Sequence, residues 1–469
     1  MKYTLPFFYD YIFANVILPN AMPPEMGVVN YLHTMFSNRL KQQSYFDERF
    51  DDENSPWRLM FGHKLGHMPS TLWNNGSYLR MPCFNKLVTI EEDAVYFGKQ
   101  KRAKYIYPIK ITLHFEKFTG TDDVGSRLNG EYFWKHISEE TLQDVKNKNA
   151  MIFIDWSNEN FIEHHQYVDF HDCLRRSGIP PSQVVLAVNS FNAQEVYENW
   201  FSPEQRRMEV RNLPFLLSNI SHYYNTHPES CIDQFYWHAK QNVYRKNYFV
   251  FPIRRAREHR IGLLYKLAQV GVLDKGDWSA LERPMTAEHI LHIASNFNCE
   301  PNYDIAKNLS SAIPKSLEDE TDRSFNTVHG WNDPHCLPMK NSYFYIASET
   351  YTHGVYKSLT EKVFKPLANY QPFLFMAYPG ALQVLRDLGF KTFSPFIDES
   401  YDMESDHIKR MNLIVDEVKR LCSMPLEEIH AWYWGMKDTL LHNRNHLLSI
   451  YENERHAEEF VKFLSEKVK

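Results

Sequence analysis

Two stretches of this chain carry the same rhythm, and that rhythm restricts the fold more than any other feature. Ala150–Asp155 (AMIFID) is a short apolar run closed by an acid. A run that is apolar throughout, and not alternately, suits a parallel strand covered on both faces. Phe170–Ser177 has helical character, Gly178-Ile-Pro-Pro breaks it, and Gln183–Asn189 (QVVLAVN) is a second such run. Strand, helix and strand at this spacing make a βαβ unit. The rhythm restarts at Tyr248–Ile253 (YFVFPI), and a helix over His259–Val270 follows, stopped by Gly271. Further strands are expected at Ser342–Ala347, Pro372–Met376 and Lys391–Phe393, and helices over Ser358–Ala368 and Pro379–Leu388. Ser358 reads as an N-cap, Pro366 as a bend or early end, and Pro379 and Gly389 as the start and stop of their helix. From Glu404 onward the pattern is helical, interrupted around Ser423–Pro425.

The expected class is therefore α/β: two Rossmann-like domains facing each other across a cleft, with C-terminal helices packing back toward the first. The first domain is placed at residues 1–245, of which 1–148 are an elaborated region with a strand-like piece at Lys104–His114, and 149–245 are Rossmann-like. The second runs over 246–425, and the helices over 426–469. The 469 residues suit two or three domains at roughly 100–200 residues each. In open parallel sheets a ligand lies beyond the carboxyl ends of the strands.

The net charge of -6 gives no global basic footprint for nucleic-acid phosphates, although a local basic face stays open. Cys83, Cys173, Cys231, Cys299, Cys336 and Cys422 are scattered and form no CxxC, as buried thiols of a reducing compartment do. Asp10 interrupts the apolar N-terminal stretch, so no signal peptide is read there. No run of about 18 apolar residues occurs, so no membrane span is expected and the cytoplasm is the default. Aromatic residues make up 15% of the chain, which suits a Phe/Tyr-filled core or a stacking site.

Chemistry concentrates in the second half. Arg254, Arg255, Arg257 and Arg260 crowd a strand-to-helix junction. A helix start already favours anions through its free N–H groups, and guanidinium forks match phosphate oxygens. The alternative is a solvated basic turn. Glu349 falls at the end of an apolar strand, and Thr360, Glu361 and Lys362 open the next helix. A carboxylate at a helix start can take ribose hydroxyls and a lysine can neutralise a phosphate. The alternative is a capped helix with an exposed Glu–Lys pair. In the first half, Asp155 and Glu159 follow the first strand, where a catalytic base would sit; Asp155 equally suits a turn cap.

No Asp-x-Asp pair occurs, so no metal-bound diphosphate is expected; arginine and lysine can offset the leaving charge instead. His63 and His67 sit four apart without a carboxylate motif, and His164, His165 and His171 with Asp169 and Asp172 are read as solvated loop residues.

Taken together, Ser342–Thr350, Leu359-Thr-Glu-Lys-Val-Phe-Lys-Pro-Leu-Ala, Gln371-Pro-Phe, Pro379-Gly, Leu388-Gly-Phe-Lys-Thr-Phe and Asp398-Glu-Ser-Tyr-Asp resemble the donor-binding half of fucosyltransferase-like GT-B glycosyltransferases. They are most similar to a branch spread across phages, giant viruses and bacteria. The resemblance covers roughly residues 245–420. It implies that Arg260, Glu361 and Lys362 hold a nucleotide diphosphate, with Arg254, Arg257, Glu349 and Thr360 in the same site. The implied activity is inverting, metal-independent sugar transfer from a nucleotide-diphosphate sugar, with no cofactor, in the cytoplasm of the cell or of a phage's host. The family has Phe-Glu-Asn-Ser where this chain has Ala347-Ser-Glu-Thr, which leaves the donor base and sugar open. The acceptor is equally open: glycan, nucleic-acid base or protein. Two other readings stand beside this one, a GT-B protein that binds without turnover and a phage DNA-base glycosyltransferase.

Overall fold

The computed structural model describes residues 3–9, 69–70, 88–94, 104–111, 139–157, 163–206, 208–226, 228, 231–281, 284–317, 337–453 and 455–469. By contact density the chain divides into two compact units, Met1–Phe215 with Glu454–Lys469, and Leu216–Asn453. The sequence rhythm set the division at residues 245 and 425.

The first unit is built on a seven-stranded sheet. Its strands are β1 (Tyr3–Tyr9), β2 (Pro69–Ser70), β3 (Val88–Ala94), β4 (Tyr105–Ile111), β5 (Ala150–Trp156), β6 (Val184–Val188) and β7 (Glu209–Asn212). The order is β3-β1-β4-β5-β6-β7, all parallel, with β2 antiparallel on β4. Every residue of β5 and β6 is buried, which is why both read as unbroken apolar runs. Helices α1 (Glu139–Lys146), α2 (His164–Arg176) and α3 (Ala193–Trp200) supply the crossovers. The last helix, Arg455–Lys467, returns to this unit. Phe460 meets Phe153 at 5.7 Å between ring centroids, and Lys467 pairs with Glu209 at 3.1 Å.

The second unit holds a four-stranded parallel sheet of order β11-β10-β8-β9: β8 (Asn247–Phe251), β9 (Gly276–Trp278), β10 (Ser342–Ser348) and β11 (Phe373–Met376). Helices α4 (Phe215–Thr226), α5 (Glu258–Gln269), α6 (Ala287–Asn296), α7 (Tyr303–Ala312), α8 (Glu361–Ala368), α9 (Ala381–Asp387), α10 (His407–Ser423), α11 (Leu426–Gly435) and α12 (Lys437–Asn453) complete it; Phe215, the first residue of α4, belongs to the first unit. The expected α/β class is therefore observed, with a parallel sheet in each unit. Every residue of α5 from His259 through Leu267 is buried, so this helix lies deep in its unit.

Several local expectations change. α8 starts at Glu361 and not at Ser358, because Thr360 is the residue whose side chain accepts from the Lys362 N–H. Pro366 sits inside α8, and the helix still continues to Ala368. With so short a helix, the missing proline N–H costs a single hydrogen bond, to the carbonyl four residues back. Pro379 lies before α9, whose N-cap is Gly380 at φ 79, a left-handed conformation that glycine adopts without penalty. Lys391–Phe393 is not a strand: the Lys391 N–H and carbonyl bond to the Asn443 side chain, and Phe393 N–H to Glu399.

Candidate functional site

Two helix starts meet at the carboxyl end of β10. The strand ends at Ser348 and continues into Glu349, whose N–H donates to the Met376 carbonyl at 2.9 Å. Glu349 is 3% exposed. Its carboxylate accepts the Thr360 N–H at 2.9 Å and lies 2.8 and 2.7 Å from the Thr360 hydroxyl, with the Thr350 N–H at 3.2 Å. The same hydroxyl caps α8 by accepting from the Lys362 N–H. A buried carboxylate thus fixes the first turn of a helix eleven residues downstream in the chain.

The Lys362 ammonium stands 2.8 Å from Glu361 Oε1, 3.0 Å from Thr360 Oγ1 and 3.7 Å from Glu349 Oε2. Burial works to raise the Glu361 carboxyl. The Lys362 and Lys365 ammonium groups outweigh it and hold that carboxyl down at about 2. Glu361 is therefore ionised at neutral pH, beside a lysine at an anion-favouring helix start.

α5 brings the other half. The Arg260 guanidinium is buried: Nη2 donates to the Ser348 carbonyl at 3.0 Å and Nη1 to the Arg255 carbonyl at 3.2 Å. Its Nε has no hydrogen-bond partner among the described residues. Burial disfavours the Arg260 charge, and the nearby Glu349 carboxylate supports it. Next to it, His259 Nε2 lies 2.9 Å from the Glu349 carbonyl, and burial pushes this imidazole down to about 3. A neutral ring whose Nε2 meets a carbonyl carries its proton there. Arg254 and Arg255 are exposed; Arg257 is half-buried, occupies the N-cap of α5, and lies 5.1 Å from the Tyr351 ring centroid. The arginine stretch thus divides into one buried bracket between α5 and β10 and three side chains nearer the surface.

Sequence reasoning assigned no role to His259, Tyr351, Tyr378, Arg410 or Asp402, the last residue of the Asp398-Glu-Ser-Tyr-Asp motif. Tyr378 is buried after β11, with a hydroxyl lacking a partner among the described residues, and burial beside Glu349 and Asp402 raises it far above a normal phenol. Asp402 is buried, accepts from the Leu382 N–H at 3.0 Å, and is raised by burial. Arg410 is 1% exposed and donates to the carbonyls of Thr352 and Glu404. Most of these partners are backbone atoms, which leave no mark on a residue pattern.

In the first unit, Asp155 is wholly buried, and its Oδ1 accepts from the Ser157 N–H at 3.1 Å and hydroxyl at 2.6 Å. Glu159, His63 and His67 lie outside the described residues. His164, His165, Asp169, His171 and Asp172 stand on α2 and not on a loop. His171 is 2.7 Å from the Tyr197 hydroxyl and lowered by burial, and Asp172 pairs with Arg175 and Arg176. The described cysteines, Cys173, Cys231, Cys299 and Cys422, are buried and form no disulfide with one another. Among the described residues no helix is long and apolar enough to cross a membrane.

No family model matches this chain, and no curated protein matches it. Solved structures do. An α,α-trehalose-phosphate synthase (UDP-forming) from Burkholderia vietnamiensis is 12% identical, over 68% of this chain and 73% of that one, with a TM-score of 0.32. An α,α-trehalose 6-phosphate synthase from Burkholderia multivorans is 10% identical, over 79% and 74%, with a TM-score of 0.38. A UDP-forming enzyme of that kind from Burkholderia xenovorans, in complex with glucose-6-phosphate, is 9% identical over 70% and 80%, with a TM-score of 0.31.

Proposed function

We propose that this chain is a nucleotide-sugar-dependent glycosyltransferase of the GT-B kind, with its donor diphosphate at the carboxyl end of β10. One observation carries the reading: the starts of α5 and α8 are tied to consecutive residues of one strand end, Arg260 to Ser348 and Thr360 to Glu349. Two helix N-termini and the Lys362 ammonium then serve a single anion. The Arg260 guanidinium adds charge from behind the Ser348 carbonyl, and Arg254 and Arg257 from the surface side. Glu361, ionised and 24% exposed, is the carboxylate suited to ribose hydroxyls. Glu349, with Thr360 on both oxygens, sets the helix in place.

The motifs over roughly residues 245–420, which resemble the donor-binding half of fucosyltransferase-like GT-B enzymes, support this reading. The reaction is inverting and independent of metal and cofactor, and it takes place in the cytoplasm. The acceptor and its base belong to the first domain, where Asp155 and Glu159 are the candidates for the base.

The test is calorimetry with UDP, GDP and ADP, followed by hydrolysis of the matching sugar nucleotides. Binding in the micromolar range that weakens in Arg260→Ala and Lys362→Ala supports the site. Unchanged affinity in both variants eliminates it. Binding without any turnover would make the chain a binding protein instead of an enzyme.

A further inference from the structure

The loop after β10 presents a tyrosine that the motif residues do not use. Tyr351 is 40% exposed, yet the chain on either side of it is fixed. Before it, the Glu349 carbonyl lies 2.9 Å from His259 Nε2, and the Thr350 N–H returns to the Glu349 carboxylate at 3.2 Å. After it, Thr352 is buried and its carbonyl accepts from the buried Arg410 guanidinium. Two buried charged side chains thus bracket three residues of loop, and the middle one keeps its ring at the surface. The Arg257 guanidinium, at the N-cap of α5, stands 5.1 Å from the ring centroid, within cation–π range. An aromatic ring held by its neighbours loses little freedom on binding, which is how a rigid contact gains affinity.

We infer that Tyr351 is the stacking platform for the base of the nucleoside diphosphate, with Arg257 orienting the ring. This rests on the donor site proposed above. A ligand whose diphosphate lies at the starts of α5 and α8 carries its base one ribose away. Tyr351 stands on the segment joining β10 to α8, two residues beyond Glu349 and beside the N-cap of α5. Stacking on an aromatic ring is sequence-tolerant because every base has a π-face. The ring therefore supplies affinity for nucleosides as a class, and loop main-chain groups are left to choose among them.

The experiment compares two ligands, a nucleoside diphosphate (the best of UDP, GDP and ADP) and inorganic pyrophosphate. Affinities for both are measured by calorimetry on the full chain carrying Tyr351→Ala, Tyr351→Phe or Tyr351→Trp. Tyr351→Ala is expected to weaken nucleoside diphosphate binding roughly tenfold and to leave pyrophosphate unchanged, while Tyr351→Phe retains wild-type affinity for both. Tyr351→Trp is expected to bind, with its added indole fluorescence quenched by the nucleotide and not by pyrophosphate. Equal nucleotide affinity in wild type and Tyr351→Ala overturns the platform and leaves the donor site standing. An equal loss for both ligands also overturns it, because the residue then acts through the loop. A wild-type chain that binds no nucleoside diphosphate removes the donor site and the platform together.

Discussion

Thr360 gives the Glu349 carboxylate two donors, the N–H at 2.9 Å and the hydroxyl within 2.8 Å. That pairing joins the end of β10 to the start of α8 across the intervening loop. Losing an N-cap hydroxyl costs about 0.5–2 kcal/mol, and a buried carboxylate deprived of a donor adds about 1–3 kcal/mol. Thr360→Ala is therefore expected to destabilise the chain by roughly 1.5–5 kcal/mol, while Thr360→Ser, which keeps the hydroxyl, stays close to wild type. Urea unfolding of the three proteins checks it. A Thr360→Ala midpoint equal to that of wild type contradicts the bracket.

His259 predicts a pH dependence with a definite sign. Burial, with the Arg260 charge adding to it, pushes the folded-state value down to about 3, and the unfolded value is about 6.5. As pH falls below the unfolded value, the unfolded chain takes up a proton that the folded chain refuses. The neutral ring's contribution is complete above about pH 6.5 and is lost as pH falls toward 3, at up to about 1.4 kcal/mol per pH unit. His259→Asn should lose less stability than wild type between pH 6.5 and 5. Parallel stability curves for the two proteins in that window would refute this.

Gly276 is required by its partner. A Cβ built there would lie 2.2 Å from the Phe249 ring, and that ring is fully buried against β9. Gly276→Ala forces the ring or the strand to move, at roughly 1–3 kcal/mol, the usual range for overpacking. Thermal unfolding of Gly276→Ala should show the loss, and Phe249→Leu in the same chain should recover part of it. No recovery in the double variant would show that the Phe249 ring is not the obstacle.

Strands β5, β6, β8, β10 and β11 were legible because a strand covered on both faces must be mostly apolar, and β5 and β10 are buried from end to end; β1, β3, β7 and β9 carried no expectation. α5 was legible to within a residue at each end. Precision failed where a side chain reaches a distant partner. Ser358 looked like the cap of α8, and only the position of Glu349 shows that Thr360 takes that role. Lys391–Phe393 has a strand's composition, but its backbone groups are claimed by Asn443 and Glu399. In the site, Glu361 and Lys362 stand out as charges at a helix start. That Arg260 is a buried bracket to the Ser348 carbonyl is invisible in sequence, because a main-chain oxygen has no residue identity.

The missing Asp-x-Asp pair carries its own prediction. If lysine, arginine and helix starts offset the diphosphate charge, sugar-nucleotide hydrolysis or transfer should continue at an unchanged rate in EDTA. Activity lost to the chelator and restored by manganese or magnesium would assign the charge to a metal.

Glu361 separates the donor site from a simple surface ion pair. Its carboxylate is ionised, held at about 2 by Lys362 and Lys365 against the effect of burial, and stands 2.8 Å from the Lys362 ammonium. In the proposed site it accepts from ribose hydroxyls, a charged hydrogen bond worth about 1.5–3 kcal/mol. Glu361→Ala should then weaken nucleoside diphosphate binding by roughly tenfold or more. Inorganic pyrophosphate has no ribose, and the substitution removes a negative charge beside the ammonium that it meets. Pyrophosphate should bind the variant as well as, or better than, it binds wild type. Glu361→Gln, which keeps one acceptor oxygen without the charge, should fall between the two with the nucleotide. A surface pair worth about 0–1 kcal/mol to stability would change neither ligand. If Glu361 served only to hold α8 in place, both ligands would weaken together. Calorimetry of the two ligands on the three proteins reads these patterns apart, and only a loss for the nucleotide without a loss for pyrophosphate in Glu361→Ala assigns the carboxylate to the ribose.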